Sequence, residues 1–148
     1  MKYNYDIING QKVPPLVVKD NTILSGTHQG SVYVENGVLT LTGTLQGSLN
    51  VNSGTKVVII GKHQGSVNVL ENGEVIVNGT LEGSTSVANR ATVIVEKGGK
   101  LMGSLNNQGT TIVRGVYAGS CIGNRIILED NGYIKNPIIK NGLNYYKL

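Results

Sequence analysis

Hydrophobic and polar positions alternate along the middle of this chain in short bursts, not in helical steps. Val32 and Val34 flank a tyrosine, Leu49 and Val51 an asparagine, and Val67 and Val69 another asparagine. A second set of apolar pairs follows these, Leu39/Leu41, Val57/Ile59 and Val75/Val77, and Val93/Val95 follows the pair Thr85/Val87 in the same way. A period of two marks a strand with one buried face. Between the bursts lie turn signals such as Glu35-Asn36-Gly37, Ser53-Gly54 and Asn72-Gly73, where Gly and Asn accept a positive φ at little cost. The pattern predicts many strands of three or four residues and no helix.

The bursts are punctuated by a repeat. Gly-x-x-x-Gly-Ser occurs six times: GTHQGS (26–31), GTLQGS (43–48), GKHQGS (61–66), GTLEGS (79–84), GKLMGS (99–104) and GVYAGS (115–120). The first glycines are 17, 18, 18, 20 and 16 residues apart. Strand-forming segments recurring at this interval predict a β-solenoid, one coil per repeat. Each coil holds three short strands separated by corners, so the solenoid is all-β, parallel and three-sided, with about six to seven coils of 16–20 residues. The expected core columns contain Val32, Val34, Leu49, Val51, Val67, Val69, Val75, Val77, Val93 and Val95, and the expected corners are Gly26, Gly30, Gly43, Gly47, Gly61, Gly65, Gly79 and Gly83. One coil cannot stand alone, because its inward side chains find partners only above and below. Residues 1–21 read as an N-terminal cap, 22–123 as the solenoid, and 124–148 as a last coil and cap.

Composition agrees with this architecture. The 148 residues include 21 Gly, 3 Pro, 7 Tyr, no Phe and no Trp, a mixture suited to strands and tight turns. The single Cys121 excludes an internal disulfide. No secretory leader and no apolar run of membrane-spanning length is visible, so the chain reads as soluble and cytoplasmic. The net charge of +4 lies entirely in the second half: residues 1–74 hold five bases and five acids, and residues 75–148 hold eight bases and four acids. Those bases are dispersed and not interleaved with aromatics, so they read as a solvated surface and no nucleic-acid partner is expected.

Candidate chemistry is sparse. His28 and His63 share the third position of the repeat with Leu45, Leu81, Leu101 and Tyr117. One coil separates the two histidines, about 9.6 Å by strand spacing, too far for one metal ion. They read as packed residues of a mostly apolar column. Cys121 falls in the column of Val32, Leu49, Val67, Thr85 and Leu105 and reads as a small buried residue. Gln29, Gln46, Gln64 and Glu82 form an outward ladder, and the serines after each glycine form another column. Nothing in the pattern calls for a catalytic group, a metal, a cofactor or a small-molecule substrate. The hexapeptide acyltransferases also build coils of about 18 residues, but their aliphatic residue recurs every six positions, unlike the spacing here.

The coils GTLQGSLNV, GKHQGSVNV and VIVNGTLEGS resemble the bactofilins, polymer-forming bacterial cytoskeletal proteins. The resemblance spans about residues 22–122. It implies a single-stranded, right-handed parallel β-helix that assembles end to end without nucleotide. The polar N-terminus MKYNYDIINGQKVPPLVV differs from the membrane-targeting tail of that family, and the absence of Phe differs from its aromatic terminal coil. The expected function is therefore a non-enzymatic scaffold that self-associates through the solenoid ends. The competing expectation is a small monomeric or dimeric protein-binding module, such as a toxin-neutralising immunity protein. The register itself is testable: Val69→Asp places a carboxylate in mid-column and is expected to abolish the cooperative thermal transition in circular dichroism. Soluble, cooperatively melting Val69→Asp protein would refute the column assignment.

Overall fold

The structure, a computed structural model, describes residues 5–135 and, as backbone, the strands Ile138–Lys140 and Leu143–Tyr145. It is an all-β parallel solenoid. Three seven-stranded sheets form its faces. In each turn the chain makes one strand on the first face, one on the second and one on the third, then climbs to the next level. Val67–Val69, Glu74–Val77 and Thr80–Glu82 make up one such turn.

Register follows the repeat. Val67 pairs with Leu49 below and Thr85 above, and Val69 with Val51 and Val87. On the second face Val57, Val75 and Val93 align. On the third, His63 lies between Leu45 and Leu81. The inward residues fuse into one core. Val32, Val34, Leu49, Val51, Val67, Val69, Val75, Val77, Val93 and Val95 are all 0–1% exposed. The parallel sheets begin at Leu16, inside the segment 1–21 read as a cap, and end at Ile134, inside the segment 124–148 read as a last coil and cap. The two departures in repeat length are absorbed at corners. Glu96-Lys97-Gly98-Gly99 lengthens one corner and Gln108-Gly109 shortens another, while the flanking strands stay paired.

At the N-terminal end Asp6–Ile8 and Gln11–Val13 form an antiparallel hairpin. Its turn, Asn9-Gly10, has φ of 51° and 78°, the left-handed pair that a tight two-residue hairpin requires. The Asp6 carboxylate accepts hydrogen bonds from the Ser31 backbone N–H at 2.7 Å and its hydroxyl at 2.9 Å. This fixes the hairpin to the first Gly-Ser corner. A second antiparallel pair, Ile138–Lys140 with Leu143–Tyr145, follows the last coil.

The repeat glycines serve two different purposes. Gly30, Gly47, Gly65 and Gly83 have φ between 114° and 148° and turn the chain. Gly43, Gly61 and Gly79 have no positive φ. A Cβ on Gly61 would overlap the Gly43 carbonyl oxygen, and a Cβ on Gly79 would overlap that of Gly61. They are glycines because successive coils touch backbone to backbone. Gly26, with no glycine beneath it, turns the chain at φ 72° in open space. The corner between the first and second faces is roomier. Its left-handed positions are Gly37, Gly54, Asn72 and Arg90, and nothing approaches the Gly54 Cβ position within 4 Å. Two substitutions separate the roles. Gly61→Ala is expected to lose about 3 kcal/mol or more by backbone overlap. Gly54→Asn is expected to stay within about 1 kcal/mol of the parent, since Asn tolerates the conformation. Urea denaturation midpoints of the two variants check this.

Candidate functional site

The polar groups with chemical potential fall at the third-face column, the Gly-Ser corner and the two ends. His63 is 0% exposed, stacked between Leu45 and Leu81. Its Nε2 lies 3.2 Å from the Ser66 carbonyl oxygen and donates to it as the neutral tautomer. Its Nδ1 has no hydrogen-bond partner among the described residues. Burial lowers the imidazole below its ordinary value of 6.5, and hydrogen bonds to the Ser66 and Gly65 backbone offset only part of that shift. Tyr117 uses the same device three coils later. Its hydroxyl lies 2.7 Å from the Ser120 carbonyl and 2.9 Å from that of Gly103. At the third position of the repeat, His63 and Tyr117 thus reach the carbonyl of their own corner serine, whereas the buried Nε2 of His28 has no partner among the described residues. The sequence carries this signal as a fixed i→i+3 offset, but only the bend at the corner turns the carbonyl toward the ring.

His28 pairs with Leu45, and Leu45 with His63, so a full strand separates the histidines. Their rings share no ligand position. Cys121 pairs with Leu105 in the expected column, yet it is exposed and not buried. It belongs to the last strand of its sheet, so among the described residues no further strand pairs beyond it. Residual desolvation raises its thiol above the ordinary value, which disfavours the thiolate a nucleophile needs.

Outside, the expected amide ladder is continuous. Gln29 donates to Gln46 at 3.2 Å, Gln46 to Gln64 at 3.2 Å and Gln64 to Glu82 at 3.4 Å. The serine column bonds only in places, Ser48 to Ser31 at 2.9 Å and Ser104 to Ser84 at 3.1 Å. Sequence reading missed Arg114, which holds Glu96 at 2.6 Å and Glu129 at 2.9 Å, with Asp130 at 3.8 Å. The hydrogen bonds it donates to Glu129 and then to Glu96 raise its pKa further. The guanidinium thereby ties three successive levels at the corner after the second face.

Two shallow grooves follow the Gly-Ser corner. One is lined by Asp6, Ser31, Gln46 and Ser48, the other by Ser84, Ser104, Asn106 and Ile122. Neither brings two titratable groups together. Among the described residues no cluster of three or more His, Cys, Asp or Glu is placed to hold a metal ion, and no helix is long and apolar enough to cross a membrane. Compared with known proteins, the chain matches no family model, no curated sequence and no solved structure at a significant level.

His63 makes stability depend on pH. The unfolded chain takes up a proton near pH 6.5, whereas the buried imidazole does so only at lower pH. The unfolded state therefore binds more protons in that window, and stability falls as pH drops below about 6.5. His63→Leu matches its column neighbours and leaves Ser66 O still accepting from the Leu49 N–H at 2.9 Å. The variant is expected to melt higher than the parent at pH 5 and to show a flatter Tm profile between pH 7 and 5. An unchanged pH slope would show that His63 is not the titrating group.

Proposed function

We propose that this chain is a non-enzymatic, bactofilin-like structural rod that self-associates through its ends, with the C-terminal end as the principal contact. The observation that carries this reading is the state of the last coil. Leu128 and Ile134 continue columns whose previous members, Val113 and Tyr117, are 0% and 1% exposed, yet they are themselves 48% and 43% exposed. Cys121 is exposed beside them. Each of the three sheets ends there on a strand with one free edge among the described residues. Inward apolar side chains together with unpaired N–H and C=O groups form a template for another strand layer. The N-terminal end is better covered: Val18 is 2% exposed, and the hairpin closes the Ser31 corner through Asp6. The repeat and the three-sided parallel architecture are those that the bactofilin resemblance implies.

A second reading is a binding module of fixed length. It is favoured by the antiparallel hairpins that flank the parallel stack on both sides, because a reversal of chain direction interrupts parallel stacking. Light scattering separates the two. The scaffold reading expects assemblies well above the 15.7 kDa monomer, dispersed by Leu128→Lys or Ile134→Lys while the far-UV circular dichroism of the rod persists. A parent protein that stays at 15.7 kDa at high concentration and low salt overturns self-association.

A further inference from the structure

The outward sides of the three faces differ in a way that strand formation does not explain. In the middle of the first face the outward column reads Asn50, Asn68, Ser86 and Asn106. On the third face it includes Thr44, Lys62, Thr80 and Lys100. On the second face it is Ile23, Val58, Ile76, Ile94, Ile112 and Ile127, interrupted only by Thr40. Ile23 is 73% exposed and Ile127 47%, and the residues between are partly exposed. All three faces have the same backbone pairing, so β-propensity alone does not select isoleucine on one of them. A flat apolar stripe running the length of a rod is the mark of an interaction surface.

The charges beside the stripe identify the occupant. Lys56 and Glu74 begin adjacent strands of this face and stand in register, with no ion pair between them. We infer that the second face packs against the second face of another copy, antiparallel, about a two-fold axis running along the strands between Lys56–Ile59 and Glu74–Val77. That axis sets Lys56 against the partner's Glu74 and Glu74 against the partner's Lys56. It also sets Val58 against the partner's Ile76 and Ile23 against the partner's Ile112. An axis along the rod instead carries Lys56 across to the far side of the partner's strand, near Ile60, where it meets no acid. Only the antiparallel arrangement is self-complementary, as an isologous contact must be.

Six of the seven strands overlap in this arrangement. At a strand spacing of ~4.8 Å and a strand width of roughly 13 Å, the flat contact is roughly 400 Å² per copy. A standard interface buries about 800 Å² per partner, so the pair is weak, with a dissociation constant in the micromolar range or above. The contact is lateral and leaves both rod ends free, so it is independent of the end-to-end association proposed above.

The test is sedimentation equilibrium in a Leu128→Lys background, which removes the end contact while leaving the second face intact. A monomer–dimer equilibrium is expected. Ile76→Glu, an outward substitution that spares the core, is expected to abolish the dimer. Lys56→Glu, which sets like charges opposite each other, is expected to weaken it by about tenfold. The double variant Lys56→Glu with Glu74→Lys is expected to restore the parent constant to within about threefold. A monomer throughout, a dimer indifferent to Ile76→Glu, or a double variant as weak as the single one overturns the inference. Circular dichroism confirms that each variant keeps the rod.

Discussion

At the two glycine corners that bracket each third-face strand, successive coils approach until the carbonyl oxygen of one glycine lies where the Cβ of the next would have to be. Gly43, Gly61 and Gly79 form one such column, and Gly47, Gly65 and Gly83 the other. This contact sets the level of each coil relative to the one below. The remaining features of the rod follow from it. Once the corners stack, the three strands of a coil lie at sheet spacing from their neighbours, and hydrogen bonds such as Gly47 N–H to Gln64 O at 3.0 Å close the ladder. The inward valines and leucines are then layered like over like. A single methyl at a stacked corner would displace a whole coil, because the obstacle is backbone and cannot change rotamer.

The same rigid corner explains the polar residues of the interior. A carbonyl that points inward beside a tight bend needs a donor or an apolar neighbour that leaves its other bond undisturbed. His63 and Tyr117 supply donors to the corner serines, while Leu45, Leu81 and Leu101 supply only volume. Histidine in this setting is a neutral packing residue with one unsatisfied nitrogen. Its burial opposes the charge that catalysis or metal exchange at acidic pH would use.

The sides and the ends of the rod present different physics. Along its sides every backbone group can pair with the coil above and below, so association there depends on side chains, and only the second face carries an apolar stripe. At its ends each sheet stops on a strand with one free backbone edge among the described residues. The N-terminal end answers this with Asp6, whose carboxylate takes two donors from Ser31. The C-terminal coil leaves Leu128 and Ile134 half exposed. End contact and lateral contact thus rest on different residues and can be separated experimentally.

The three-sided parallel solenoid was legible from the chain because its determinants are local and periodic. A glycine pair every 16–20 residues fixes the corners, and a two-residue alternation fixes which side chains face inward. The unbroken apolar runs Val57-Val58-Ile59 and Val75-Ile76-Val77, against the alternating Leu49-Asn50-Val51 and Val67-Asn68-Val69, also carried the signal of the outward isoleucine stripe. What the stacked structure decided is what depends on the neighbouring coil. Gly61 and Gly65 look alike in sequence, yet one avoids a carbonyl without positive φ and the other also turns the chain. Cys121 sits in a buried column by its spacing and is exposed because it lies on the edge strand of its sheet among the described residues. Arg114 meets Glu96 and Glu129 only because residues 15 and 18 apart become vertical neighbours. Spacing along the chain determines the column a residue occupies; only stacking determines what lies above and below it.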